Sequence, residues 1–319
     1  MKPVVFITRK LPEEAVAPLR EKFTVRMWDA EDVSVPRFIL LKEVAEVDAL
    51  WSVSADRIDR EVFEASTKLK VVSNLAVGYN NIDLEAAKEK GVIVTNTPGV
   101  LTETTADLAF ALLLSTARGL TEAQSELRKG NWKSWSSMQY TGMDVNGATL
   151  GVIGLGRIGE AVARRGKGFN MRILYNNRNR KPEAEEKYGV EYAELDDLLK
   201  ESDFVILLAP FTPETAGLIG ARELGLMKET ASLINVARGG IVDEAALYEA
   251  LTNGTIWAAG LDVFEVEPVP LDHPLLMLPN VTVLPHIGSA TIRTRLAMMN
   301  LNAQAIIDVL EGRKPSNEI

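Results

Sequence analysis

Cysteine is absent from the 319 residues. That excludes disulfides, thiolate nucleophiles, iron–sulfur ligation and every cysteine-based zinc site. Histidine is scarce: only His273 and His286 occur, too few for a multi-histidine centre, so no metal is expected. Surplus positive charge is lacking too, since 35 Lys and Arg face 44 Asp and Glu, a net charge of −9. Such a surface repels phosphate backbones and anionic lipid, and no basic run interleaved with aromatics offsets it. Neither nucleic acid nor membrane is expected as a partner. The most apolar segment, Leu108–Ala117, is far shorter than the roughly 18 residues of a membrane span. Near the start the only apolar stretch is Val4–Ile7, too short for a signal peptide, and a cytoplasmic location is expected.

What is present is ordinary globular composition, 46% hydrophobic and 25% charged, enough for about two domains at roughly 150 residues each. Short apolar runs alternate with helical patterns. Strands are predicted at Val4–Thr8, Val25–Trp28, Ala49–Val53, Leu69–Ser73 and Val92–Thr95. Helices are predicted at Pro12–Glu21, Val35–Val44, Asp59–Ala65 and Asp83–Glu89. This alternation implies βαβ units, a parallel sheet and helices on both of its faces. Asn96-Thr97-Pro98-Gly99 interrupts the rhythm as a plausible hinge. A long helix follows, Thr102 to about Arg118, with Thr102 as candidate N-cap. After an irregular stretch at Asn131–Asn146, holding Trp132, Trp135 and Tyr140, a second alternation begins. Its strands are Thr149–Ile153, Arg172–Tyr175, Phe204–Leu208, Ser232–Asn235, Ala258–Asp262 and Val281–Leu284. A last helix, Thr291–Leu310, returns to the first lobe. The expected fold class is α/β: two doubly wound parallel-sheet, Rossmann-like domains, with residues 99–288 inserted into a domain of 1–98 plus 289–319.

The second lobe opens with Gly151-Val152-Ile153-Gly154-Leu155-Gly156-Arg157-Ile158-Gly159, which contains GxGxxG at Gly154, Gly156 and Gly159. The pattern alone is weak, but here a strand precedes it and a helix follows. Gly154 permits the tight turn, Gly156 lets the backbone approach a pyrophosphate, and Gly159 lets helix and strand pack closely. The helix N-terminus offers free N–H groups and a positive dipole end to the anion. About 20 residues on, an acid would take the ribose hydroxyl of NAD. The chain instead reads Tyr175-Asn176-Asn177-Arg178-Asn179-Arg180, without a carboxylate. Two arginines suit the 2′-phosphate of NADP, the alternative being a solvated basic turn.

Ligands of doubly wound sheets bind beyond the carboxyl ends of strands, where three polar groups fall. Arg238 follows Ser232–Asn235, Glu267 follows Ala258–Asp262, and His286 follows Val281–Leu284. A forked cation, a carboxylate and an imidazole are what reduction of a 2-keto acid needs. Arginine clamps the carboxylate and keto oxygen, histidine gives a proton to the new alkoxide, and the acid orients the ring and favours its charged form. Each has a bland alternative: a surface ion pair, an ordinary solvated acid, or a hydrogen-bonded loop histidine. His273, in Asp272-His273-Pro274, is assigned to the last class.

Together these stretches resemble the D-isomer-specific 2-hydroxyacid dehydrogenase family over nearly the whole chain. The further matches are Val77-Gly78-Tyr79-Asn80-Asn81-Ile82-Asp83, Thr102–Asp107, Leu226-Met227-Lys228, Asn235–Gly239, Gly260–Pro268 and Pro285-His286-Ile287-Gly288-Ser289. The subgroup it looks most like is the glyoxylate/hydroxypyruvate reductases, many of which use NADPH. The resemblance implies that Arg238, Glu267 and His286 are the catalytic residues. It implies that Val53, Ser54, Val77, Gly78, Arg238 and His286 bind substrate, the backbone at Val77 and Gly78 taking its carboxylate, with 1–98 plus 289–319 the substrate domain. The dinucleotide would be held by Thr104, Gly154, Leu155, Gly156, Arg157, Ile158, Gly159, Asn177, Arg178, Asn179, Arg180, Val236, Ala237, Arg238, Asp262, His286 and Gly288. It also implies a homodimer joined through the cofactor lobe, with Trp135 near the partner's site. NADP(H) is the expected cofactor, with NAD(H) possible.

Two departures stand out: Asn80 and Asn177 replace acids common in the family. Val77 is not the lysine of a phosphite-oxidising relative, nor is Glu267 the glutamine of formate dehydrogenases. With the chain ending at Ile319, no regulatory domain of the kind in some phosphoglycerate dehydrogenases is expected. The functions implied are reduction of glyoxylate and hydroxypyruvate, action on another 2-hydroxy acid, or non-catalytic sensing of the dinucleotide.

Overall fold

The structure, a computed structural model, describes residues 2–319. It divides into two compact units, Met1–Leu101 with Ala290–Ile319, and Thr102–Ser289. The first holds strands β1 (Val4–Ile7), β2 (Thr24–Met27), β3 (Ala49–Val53), β4 (Val71–Leu75) and β5 (Ile93–Thr95). They form a five-stranded parallel sheet in the order β2-β1-β3-β4-β5. Phe6, Leu50, Val72 and Val94 pack with Val44, Val62 and Phe63 into one buried cluster, because central parallel strands carry apolar residues on both faces. The helix Ile292–Leu310 belongs to this unit, and its buried Asn302 donates to Ser73 Oγ at 2.9 Å. The outer edge of β5 is met antiparallel by the end of the chain, Glu318 opposite Thr95.

The second unit holds β6 (Thr149–Ile153), β7 (Arg172–Asn176), β8 (Glu191–Tyr192), β9 (Phe204–Leu207), β10 (Ser232–Asn235), β11 (Ala258–Leu261) and β12 (Val281–Val283). The seven strands run parallel in the order β12-β11-β10-β9-β6-β7-β8. Strand order reverses between β6 and β9, the switch point at which such sheets bind ligands. Alternation along β6 sends Leu150 and Val152 to one core and Ile153 to the other. Both sheets thus have the doubly wound parallel architecture that the sequence predicts.

Some local expectations need correction. The fourth strand runs Val71–Leu75 and not Leu69–Ser73, because its register is set by pairs from Ala49↔Val71 to Val53↔Leu75. Asn74 thereby becomes a strand residue. The second helix starts at Arg37 and not Val35, because Pro36 holds an extended conformation at the cap. Thr102 is the first residue of its helix, Thr102–Ala117, and not the cap before it. The helix Leu120–Arg128 and the two-residue β8 escape sequence reading; that helix buries none of its residues, and its Leu120 and Leu127 stay exposed.

Candidate active site

At the carboxyl ends of β10, β11 and β12, three loops of the second unit come together. The first is shaped by Asn235, whose amide clasps it: Oδ1 accepts from Ala237 N–H at 3.0 Å and Nδ2 donates to the Arg238 carbonyl at 2.9 Å. This clasp fixes Val236 and Ala237 and turns Arg238 out of the sheet. The guanidinium donates to the Ala237 carbonyl at 2.8 Å. Burial pushes it below its ordinary value, and the Glu267 charge pulls the other way.

Gly239, next in line, is pressed onto the neighbouring loop. A Cβ there would stand 1.9 Å from the Phe264 carbonyl carbon and 2.1 Å from the Glu265 nitrogen. Only a glycine allows the Arg238 loop to touch the Phe264–Glu267 loop. Within the latter, Glu267 Oε1 accepts the Phe264 N–H at 3.0 Å, which folds the carboxylate back over its own turn. The other oxygen, Oε2, meets His286 Nδ1 at 2.7 Å. A carboxylate accepts only, so Nδ1 carries the proton and Nε2 is left for other chemistry. Burial pushes Glu267 up, but the hydrogen bond and charge of His286, the Phe264 N–H and Arg238 outweigh it and hold it below the usual carboxylate range.

His286 is held from behind by Asp262. Its N–H donates to the Asp262 carbonyl at 2.9 Å, while the Asp262 carboxylate accepts from Ile287 and Gly288 N–H at 2.8 and 2.9 Å. For two successive N–H groups to converge on one carboxylate the backbone must turn sharply, and His286 takes a left-handed φ of 54°. A Cβ on Gly288 would lie 3.3 Å from Asp262 Oδ2 and 3.4 Å from Thr105 Cγ2, so the first turn of helix Thr102–Ala117, with Thr104, lies alongside. Burial pushes the Asp262 carboxyl up, and the two N–H bonds and His286 only partly offset it.

The glycine loop follows β6. Gly154 has φ of 101°, and a Cβ there would strike Ala209 N at 2.4 Å, while one on Gly159 would strike the Gly154 carbonyl at 2.5 Å. Gly156, the cap of helix Arg157–Gly168, has nothing within 4 Å of its Cβ position. That open cradle at a helix N-terminus fits a pyrophosphate, whereas a side chain would fill it. At the end of β7, Asn177 Oδ1 accepts the Leu155 N–H at 2.7 Å, a tie to the glycine loop that the sequence does not announce. Arg178 and Asn179 are exposed. Arg180 is held in a fork by Glu185 at 2.8 and 2.9 Å, and lies 5.7 Å over the Tyr192 ring. His273 pairs with Glu244 at 3.0 Å, the hydrogen-bonded loop role assigned to it.

Val53 ends β3 with Ser54 just beyond it, Val77–Gly78 follow β4, and both loops belong to the first unit. Among the described residues there is no metal-binding group of His, Asp and Glu side chains, and no helix long and apolar enough to cross a membrane.

Residues 110–288 match the model of the D-isomer specific 2-hydroxyacid dehydrogenase NAD-binding domain. A glyoxylate reductase of Thermococcus gammatolerans is 53% identical, covering 99% of this chain and 95% of that protein. The chain belongs to the D-isomer specific 2-hydroxyacid dehydrogenase family. A second glyoxylate reductase, from Pyrococcus horikoshii, is 52% identical over the same shares. Among solved structures, the NADPH-dependent glyoxylate/hydroxypyruvate reductase of Sinorhizobium meliloti, in complex with NADP and malonate, superposes with a TM-score of 0.88 at 34% identity. It covers 100% of this chain and 97% of its own. As a family member this dehydrogenase is an oxidoreductase that uses a nicotinamide dinucleotide and acts on a small 2-keto or 2-hydroxy acid.

Proposed function

We propose that this dehydrogenase reduces glyoxylate, and hydroxypyruvate beside it, to glycolate and D-glycerate with NADPH. The observation that carries the reading is the 2.7 Å His286–Glu267 pair, whose Glu267 loop lies against the Arg238 loop at Gly239. When bound, the reduced nicotinamide supplies a hydride to the keto carbon. His286 Nε2 delivers a proton to the keto oxygen as it becomes an alkoxide, acting as general acid. Glu267 holds the ring through Nδ1 and balances the imidazolium charge. Arg238 fixes the carboxylate and polarises the carbonyl with its planar fork. Val53, Ser54, Val77 and Gly78 border the substrate. Asp262 holds the His286 turn, and the glycine loop with Thr104, Val236, Ala237 and Gly288 lines the dinucleotide.

The preference for NADPH rests on Arg178. No acid stands at Asn177 to repel a 2′-phosphate, and Arg178 is exposed at the end of β7. Arg180 is a weaker candidate than its spacing suggests, because Glu185 already takes its fork. The same reading takes the protein to be cytoplasmic and a homodimer, and the 52%, 77% and 75% exposure of Trp132, Trp135 and Met138 supports the dimer as exposed apolar surface.

The experiment is a kinetic panel of glyoxylate, hydroxypyruvate, pyruvate and phenylpyruvate with NADPH and with NADH, followed by loss of nicotinamide absorbance. Highest kcat/KM for glyoxylate and hydroxypyruvate with NADPH is expected. Turnover confined to another keto acid would move the substrate, and none at all would leave a dinucleotide sensor.

A further inference from the structure

Three asparagine amides in the first unit hold the carbonyl groups of the two loops that border the substrate in the reading above. Asn81 Nδ2 donates to the Val53 carbonyl at 3.2 Å and the Asp56 carbonyl at 2.9 Å. Asn74, fully buried on β4, donates to the Gly78 carbonyl at 3.1 Å and exchanges contacts with the Asn81 amide at 3.2 and 3.3 Å. Asn96 donates to the Val77 carbonyl at 2.8 Å. Carbonyl oxygens only accept, so the NH2 end of each amide must face the loops.

In a trans peptide the C=O and the following N–H point in opposite directions. Anchoring the Val53 carbonyl therefore aims the Ser54 N–H away from Asn81, and anchoring the Val77 carbonyl aims the Gly78 N–H away from Asn96. Among the described residues neither N–H donates a hydrogen bond. Asp56, itself buried against Arg9 at 2.9 Å, accepts the Val53 N–H at 2.9 Å and stiffens the same turn. The result is two outward donors on a backbone whose Val53, Asp56, Val77 and Gly78 oxygens are held by amides, which suits an anion.

We propose that Asn81, supported by Asn74 and Asn96, is a positioning residue: it pre-organises the Ser54 and Gly78 N–H groups at the carboxylate site that the family resemblance implies for the Val77–Gly78 backbone. The proposal rests on the substrate reading above. Since the carboxylate is common to all 2-keto acids, loosening the receptor weakens each of them equally and leaves the cofactor alone.

The test is Asn81→Asp in the holoenzyme, an isosteric change that removes both donors and sets a carboxylate against three oxygen acceptors. KM for glyoxylate and for hydroxypyruvate should rise by the same factor, about tenfold or more, with KM for NADPH within about twofold of wild type. Should that variant fail to fold, Asn96→Ala decides, because its backbone bond to Asn317 at 3.2 Å persists and only the Val77 tie is lost. Its keto-acid KM should rise about three- to tenfold. Ser52→Ala, whose hydroxyl reaches Asn74 Oδ1 at 3.1 Å but no loop carbonyl, should stay within about twofold. Wild-type keto-acid KM in the variants, or a fall in kcat alone, would overturn the proposal and leave the functional reading standing. A wild-type protein that reduces no 2-keto acid would overturn both.

Discussion

Replacing Glu267 by Gln tests the pairing at the centre of the site. The perturbation removes one charge at constant shape, and Nδ1 of His286 loses the partner it holds at 2.7 Å. Two charges about 4 Å apart attract by about 4 kcal/mol at an effective dielectric near 20. That is an upper figure, because the two side chains are 35% and 36% exposed and water screens them. The low end of the range for a charge-assisted hydrogen bond, about 1.5 kcal/mol, is the better guide. Glutamine adds a second loss. Glu267 serves the Phe264 N–H with one oxygen and His286 with the other, and an amide has a single oxygen for both. Its NH2 group must then face one of the two donors.

Reduction needs the imidazolium, and both effects disfavour it. The fall of kcat/KM with rising pH should therefore move to lower pH. Oxidation of the 2-hydroxy acid needs the neutral ring as base, so its acidic limb should move in the same direction. The assay is kcat/KM against pH in both directions, read from nicotinamide absorbance. An unchanged profile in both directions would refute the role given to Glu267, whatever happened to the rate at one pH.

Arg238→Lys keeps the charge and loses the fork, so kcat/KM for glyoxylate should drop about 30- to 150-fold, the equivalent of roughly 2–3 kcal/mol. Near-normal kinetics would remove Arg238 from the chemistry. Gly239→Ala drives a Cβ to within 1.9 Å of Phe264, and should abolish most activity and lower the melting temperature of the protein. An alanine variant with wild-type activity would show that the two loops need not touch. Arg178→Ala should raise KM for NADPH about tenfold or more and leave that for NADH nearly alone, whereas Arg180→Ala should do less because Glu185 holds that guanidinium. Equal effects of the two arginines would put the phosphate elsewhere.

What the sequence alone makes legible is what lies close along the chain to a recognisable punctuation. The glycine spacing after an apolar strand marks a phosphate turn, and polar residues just beyond strands mark the ligand end of the sheet. Strand edges were less legible: β4 slides by two residues because β3 on one side and β5 on the other decide its register. Arg180 illustrates a deeper limit. Its neighbour Glu185 lies on the next turn of chain, yet the fork closes only because Tyr175, donating to the same carboxylate at 2.6 Å, fixes where Glu185 points. The asparagine network was equally hidden. Asn74, Asn81 and Asn96 look like turn residues in a linear reading, and only parallel pairing of β3 with β4 brings them under the same two loops.

Adjacency in the sheet explains why residues as far apart as Arg238 and His286 could be grouped at all. β10, β11 and β12 are consecutive in the chain and also neighbours in the sheet, in register from Ile234↔Gly260 and Gly260↔Thr282. Each crossover therefore returns to the next strand at the same level, and each strand ends where its neighbour ends. A polar residue a few positions past each end is then brought near the others without any long excursion of the backbone. Proximity still does not give geometry, and two features supply it. Gly239 removes the side chain that would wedge the first loop from the second. Asp262 spends both carboxylate oxygens on the N–H groups after His286, which forces the ring-bearing residue into its left-handed turn. Gly239 has no side chain for a linear reading to single out, and Asp262 is expected from the sequence only beside the dinucleotide and not behind His286. In the proposed reading the chemistry sits on Arg238, Glu267 and His286, while the approach of their loops is set by a missing Cβ and a buried acid.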